Sequence, residues 1–136
     1  MPKVLLIEDT PEMQRMYGYG LTKAGFEVEI VGSAGEALAH VQSGIDFDII
    51  LVDLMLAGMS GLDFLKTANL RTLMPRAKII VLTNVDNPEI IDKVKAASVD
   101  DYLVKSQTDP VALANHLQQM LQCEPPPADP LPKPAI

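Results

Sequence analysis

Little in this chain is aromatic. Three Phe, three Tyr and no Trp make up 4% of its 136 residues, so any core must be built from Leu, Ile, Val, Ala and Met. A single cysteine, Cys123, excludes an internal disulfide framework and leaves no second thiol for a metal pair. It reads as a buried or incidental thiol near a helix end. No run of Lys and Arg marks a nucleic-acid arm. Eighteen acids against eleven bases give a net charge of −7, which repels phosphate backbones and anionic lipid. No apolar stretch approaches the length of a membrane span. Met1-Pro2-Lys3 leads straight into Val4 with two acids close behind, unlike a signal peptide. The expectation is one soluble, cytoplasmic domain, large enough to bury a real core.

What the chain does have is a series of short apolar runs that stop at polar residues. Ile49-Ile50-Leu51-Val52 ends in Asp53, Val4-Leu5-Leu6-Ile7 in Glu8-Asp9, and Ile79-Ile80-Val81-Leu82 in Thr83. Unbroken runs of this length fit strands buried on both faces of a sheet. Phe26 to Val31 alternates apolar with acidic, which suits a half-exposed strand towards the sheet edge. Asp101-Tyr102-Leu103-Val104-Lys105 is a short fifth strand ending in a base.

Helical patterns lie between these runs. Thr10-Pro11 reads as an N-cap and first turn, followed by a stripe of Met13, Met16, Tyr17, Gly20, Leu21 and Ala24. Gly18 and Gly20 weaken that helix and suggest that it lies close to a strand. Ser33 and Glu36 have capping-box spacing. Ser60 opens a helix carrying Leu62, Leu65 and Leu73, ended by Pro75. Asn87-Pro88 opens one lined by Ile90, Ile91, Val94 and Ala97. Thr108-Asp109-Pro110 opens the last, with Leu113, Ala114, Leu117, Met120 and Leu121. The methionines at helical spacing read as core rather than as a cofactor box, and His40 and His116 as surface helix residues. Gly18, Gly20 and Gly25 do not form a dinucleotide fingerprint, because they fall inside or after a helix. From Glu124 onward the composition changes: six of the eleven prolines lie there, as in an extended tail or linker.

Five strands alternating with five helices imply an α/β fold, a parallel sheet with helices on both faces. Parallel strands bring Glu8, Asp9, Asp53, Thr83 and Lys105 to one edge, where open α/β sheets bind ligands. Two carboxylates about 4 Å apart repel by about 4 kcal/mol at an effective dielectric near 20, and one lysine cannot neutralise three acids. A divalent cation with hard oxygen ligands can, and Mg²⁺ suits the set. A carboxylate so placed is a usable nucleophile towards a phosphoryl group. Lys105 would pair with the phosphoryl charge and the Thr83 hydroxyl would donate to it.

With Glu8-Asp9, Asp53, Met59, Gly61, Thr83, Tyr102 and Lys105 in this order, the chain resembles the receiver domain of two-component response regulators over residues 3 to 122. The resemblance implies a (βα)5 flavodoxin-like fold with strand order 2-1-3-4-5. It implies a receiver domain at residues 1–123 and a Pro-rich tail or linker at 124–136. It further implies that Asp53 takes a phosphoryl group from a sensor histidine kinase or histidine phosphotransfer protein, a self-phosphorylation and dephosphorylation rather than conventional enzyme turnover. Asp9 would bind Mg²⁺ directly, Glu8 largely through water, and Met55 through its backbone carbonyl. Lys105 would hold the phosphoryl group. Thr83 and Tyr102 would couple it to the surface of the fourth helix, fifth strand and fifth helix, a face suited to a homodimer or to a downstream output domain or protein.

Four positions depart from the family. Ser106 follows the lysine where proline is usual. A cis bond before serine costs about 3–4 kcal/mol, so a trans bond and a differently set loop are expected. Ala57 replaces the proline of the Asp53 loop, Asn84 stands where a small residue is common, and Ser98 where glycine often ends the fourth helix. Two other readings compete. One is a flavodoxin-like binder of a small ligand or nucleotide, against which the acidic Glu8-Asp9-Thr10-Pro11 loop argues. The other is a pure interaction module that no longer takes phosphate.

Overall fold

In the computed structural model, residues 2–56, 58–97 and 99–122 are described. Cys123, the Pro-rich segment 124–136, Ala57 and Ser98 lie outside them. Five strands form one parallel sheet: β1 (Lys3–Ile7), β2 (Glu27–Val31), β3 (Ile49–Val52), β4 (Lys78–Thr83) and β5 (Asp101–Val104). Their order is 2-1-3-4-5, so β2 and β5 are the edges, as the alternation in β2 predicts. The helices are α1 (Pro11–Lys23), α2 (Ala34–Gln42), α3 (Gly61–Ala68), α4 (Pro88–Ala96) and α5 (Pro110–Gln122). A single helical turn, Leu70–Leu73, follows α3, and a 3-10 turn, Lys105–Gln107, follows β5.

The central strands are apolar throughout because successive side chains enter opposite layers. Leu5, Ile7, Ile50, Val52, Ile79 and Val81 meet Ala37, Val41, Phe64 and Val94 on the side of α2, α3 and α4. Val4, Leu6, Ile49, Leu51, Ile80 and Leu82 meet Tyr17, Leu21, Phe26, Leu113 and Leu117 on the side of α1 and α5. Both layers are aliphatic at heart, with Phe and Tyr as the few large fillers.

Four helices start on side-chain caps: Ser33 accepts from the Glu36 N–H, Ser60 from Asp63, Asn87 from Glu89 and Ile90, and Asp109 from Ala112. Glu36 returns its bond to the Gly32 N–H rather than to Ser33, which shifts the expected box by one residue. Thr10 departs from expectation, since its side chain makes no capping bond and its hydroxyl turns to Asp9 at 3.5 Å. The expected helix from Ser60 to Pro75 is broken. Asn69 adopts φ 54° and ψ 47°, a left-handed conformation that asparagine tolerates better than most residues. The break buries Leu70 and leaves Leu73 exposed, so Leu73 is not on the core stripe.

Two further expectations change. Gly18 does lie against a strand, since a Cβ there would stand 2.9 Å from Ile30 Cδ1, but Gly20 faces Pro110 of α5, 2.5 Å from its Cβ. The methionines are not uniformly core: Met74 is buried, whereas Met16, Met55 and Met59 are exposed. His40 and His116 are partly exposed helix residues, each beside an acid, Glu29 at 3.4 Å and Asp101 at 2.6 Å respectively. Among the described residues no helix is long and apolar enough to cross a membrane.

Candidate functional site

The carboxyl ends of β1, β3 and β4 place Glu8, Asp53 and Thr83 side by side, and these are the buried polar residues of the described chain, exposed by 1%, 5% and 0%. Backbone bonds fix them there. Glu8 N–H donates to Val31 O at 3.0 Å and Asp53 N–H to Ile7 O at 3.2 Å, so each acid prolongs the ladder by one residue. Gln14, one turn into α1, donates through its side chain to the Glu8 carbonyl at 2.6 Å. Nothing in the sequence singles out Gln14, because a polar residue on an amphipathic helix ordinarily faces water.

Lys105 arrives from beyond β5. Its ammonium meets Asp53 Oδ2 at 2.7 Å and also Glu8 Oε1. Burial pushes this lysine down, yet hydrogen bonds and charges from Asp53 and Glu8 outweigh it, so its pKa lies above the ordinary lysine value. The remaining acceptors are also used: Glu8 Oε2 takes the Thr10 N–H at 3.1 Å, and Asp53 Oδ1 takes the Met55 N–H at 3.0 Å. No buried side-chain polar atom among the described residues lacks a partner. Lys105, expected as the last residue of the fifth strand, instead stands one residue past β5, at the start of the 3-10 turn. All peptide bonds described are trans, including Lys105–Ser106.

The loop after Asp53 is set by glycine. Gly58 has φ +81°, and a Cβ on Gly61 would stand 2.2 Å from the Asp53 carbonyl oxygen. Helix α3 therefore begins directly against the backbone of the acid. Met55 side chain points to solvent, being 66% exposed, so its backbone is the part that belongs to the site.

Thr83 and Tyr102 are joined through Val85. The Val85 N–H donates to Thr83 Oγ1 at 3.4 Å, and the Tyr102 hydroxyl donates to the Val85 carbonyl at 2.6 Å. Burial raises the Tyr102 pKa, with Asp86 and Asp53 adding to it, so the phenol stays a donor at neutral pH. The sequence gives no sign of Val85, whose part is played by its backbone.

Ligand oxygens of Glu8, Asp9 and Asp53 lie within 4.8 Å of one another. Three carboxylates at one point, with one lysine between two of them, are the hard, anionic donor set that Mg²⁺ takes. The donor set fits that ion.

Fold and site together define a doubly wound α/β protein whose working edge is an acidic pocket with a lysine counter-charge. The chain belongs to the response regulator receiver domains of two-component systems, whose family model matches residues 4–118. Among curated relatives it is 40% identical to the sensory transduction protein RegX3 of Mycolicibacterium smegmatis over 108 residues, covering 77% of this chain and 44% of the relative. It is 28% identical to the phosphate regulon transcriptional regulatory protein PhoB of Rhizobium meliloti over 125 residues, covering 92% and 55%. The chain thus spans about half the length of these relatives. Among solved structures it resembles the chemotaxis protein CheY4 of Vibrio cholerae, with TM-score 0.79, 33% identity and coverage of 88% and 98%. It also resembles a CheY-like receiver domain protein of Methanospirillum hungatei, with TM-score 0.81, 28% identity and coverage of 90% and 94%. Receiver domains bind Mg²⁺ at an acidic pocket and work with histidine kinases and output domains; the acidic group here is Glu8, Asp9 and Asp53.

Proposed function

We propose that Asp53 accepts a phosphoryl group from a histidine kinase or a histidine phosphotransfer protein, and that residues 1–123 carry this switch. The observation that carries the reading is the Asp53 carboxylate, buried at a strand end and held by Lys105 on one oxygen and by the Met55 N–H on the other. A carboxylate oxygen of Asp53 would form a bond to phosphorus as the bond from phosphorus to the donor's imidazole nitrogen breaks, giving an acyl phosphate and a free histidine. Lys105 lies within reach of that oxygen and would neutralise part of the added charge. Asp9, Asp53 and the Met55 carbonyl would hold Mg²⁺, with Glu8 acting largely through water. When bound, the ion screens the repulsion between the acids and the incoming phosphoryl group. Thr83 would meet the new phosphoryl oxygens, and the Val85 link would carry the change to Tyr102 and the α4-β5-α5 face. That face would engage an output domain or protein, or a second copy of the chain, and segment 124–136 would serve as tail or linker. A cytoplasmic setting follows from such donors.

The test is incubation with Mg²⁺ and acetyl phosphate, read by intact mass, alongside beryllofluoride binding followed by NMR. A Mg²⁺-dependent adduct is expected on the wild type and none on Asp53→Asn. Equal behaviour of the two would show that Asp53 is not the acceptor.

A further inference from the structure

Two departures from the family pattern turn out to touch. The Ser106 N–H donates to the Asn84 side-chain oxygen at 2.9 Å. The β4–β5 ladder ends at the Thr83–Val104 pair, so this bond prolongs the link between the two strands past their last paired residues. Proline at 106 would have no N–H to give, and a small apolar residue at 84 would offer no acceptor. Each change supplies what the other needs.

The bond also falls at a telling place. Asn84 follows Thr83 directly, and Ser106 follows Lys105. Lys105 opens a 3-10 turn closed by the Thr108 N–H on the Lys105 carbonyl at 3.1 Å. On its far side the same turn is tied to α1, where the buried Tyr17 hydroxyl donates to Thr108 O at 2.9 Å. A flexible four-carbon stem delivers its ammonium reliably only when the backbone beneath it is fixed. Here that backbone is fixed from β4 by Asn84 and from α1 by Tyr17.

We infer that Asn84 is a positioning residue, whose side-chain oxygen acts through the Ser106 N–H to hold the Lys105 turn and aim its ammonium at Asp53. The catalytic consequence rests on the phosphoacceptor reading of Asp53; the loop geometry does not. Both partners are exposed, so water competes for the bond and its effect is modest, about threefold rather than a hundredfold.

The experiment is a double-mutant cycle on the full chain, with phosphorylation rates measured against acetyl phosphate concentration in Mg²⁺. Asn84→Ala is expected to lower the maximal rate about threefold, with little change in the half-saturating donor concentration or in the thermal midpoint. In a chain that already carries Ser106→Pro, the same Asn84→Ala change should have almost no effect, because no N–H remains to be held. An equal effect in both backgrounds, or none in either, overturns the inference. Hydrogen exchange at the Ser106 amide, followed by NMR without donor, should quicken about threefold in Asn84→Ala. Unchanged exchange also overturns it, whatever the donor does. A wild type that takes no phosphoryl group would instead defeat the Asp53 reading, while the amide still decides whether Asn84 holds the turn.

Discussion

Lys105 Nζ stands 2.7 Å from Asp53 Oδ2 while pairing with Glu8 on its other side, so one ammonium spans the ends of β1 and β3 from beyond β5. All three side chains are nearly out of solvent. Removing one partner of such a group strands charge that water no longer reaches, which is why buried pairs are costly to break even when they add little net stability. The lysine also sits where a phosphoryl group on Asp53 would need a counter-charge.

The raised Lys105 pKa gives an alkaline signature. The folded chain holds this proton more tightly than the unfolded chain. The contribution is therefore complete below the ordinary lysine value of about 10.4 and is lost as pH rises through the higher folded value. Tyr17 and Tyr102, both raised chiefly by burial, act in the same direction from about pH 10. Urea midpoints measured from pH 8 upward should be steady to about pH 10 and then fall, and Lys105→Met should show a shallower fall. Parallel curves for the two proteins would mean that the ion pair does not hold the lysine proton.

Magnesium should stabilise the chain through the same acids. At about ten times its dissociation constant, an ion that binds only the folded state adds about 1.4 kcal/mol, a rise of about 3–8 °C in the thermal midpoint for a domain of this size. Asp9→Asn should remove most of the rise, since it takes away one of the three carboxylates grouped at the site. A full rise in Asp9→Asn would place the ion elsewhere.

Much of this arrangement was legible in the residues alone. Apolar runs halted by Glu8, Asp53 and Thr83 announce buried parallel strands, and parallel strands put their ends at one edge, so the acids, the hydroxyl and Lys105 could be gathered without coordinates. The break at Asn69 was not legible, because asparagine is only a weak signal for left-handed backbone and the leucine spacing runs on across it. Met16 misled for a related reason: periodicity identifies a helix face but not how far the core reaches around it. Gln14, Val85 and the Asn84–Ser106 bond were hidden because each acts through, or upon, backbone groups. Backbone partners carry no residue-type signature. Ser106 and Asn84 were visible as departures but not as a pair.

Gly61 provides a test of the loop. An added Cβ would meet the Asp53 carbonyl oxygen at 2.2 Å, a backbone atom that can yield only if α3 or the Asp53 loop moves. Gly61→Ala should therefore lower stability by about 1–3 kcal/mol and slow adduct formation on Asp53. Gly35 in α2 is the contrast, since its nearest neighbour to a new Cβ lies at 3.9 Å. Gly35→Ala should raise stability by about 0.5–1 kcal/mol and leave the adduct unchanged. Chemical denaturation of both variants decides it, and a neutral Gly61→Ala would mean that the loop is not held by close approach to α3.

Tyr102 separates chemistry from transmission. Its hydroxyl reaches Val85 O at 2.6 Å, and the Val85 N–H reaches Thr83 Oγ1 at 3.4 Å, so any movement of the Thr83 hydroxyl alters the backbone to which Tyr102 is bonded. Tyr102→Phe keeps the ring packed against the core layer of α2 to α4 and removes only the donor. It should cost about 0.5–1.5 kcal/mol and leave the beryllofluoride adduct on Asp53 intact, because no group of the acidic pocket is lost. The NMR shift changes that the adduct produces along β5 should shrink, while those at Val85 persist. Loss of the adduct in Tyr102→Phe would place the phenol in the chemistry itself, and unchanged shifts along β5 would show that the signal leaves Thr83 by another route.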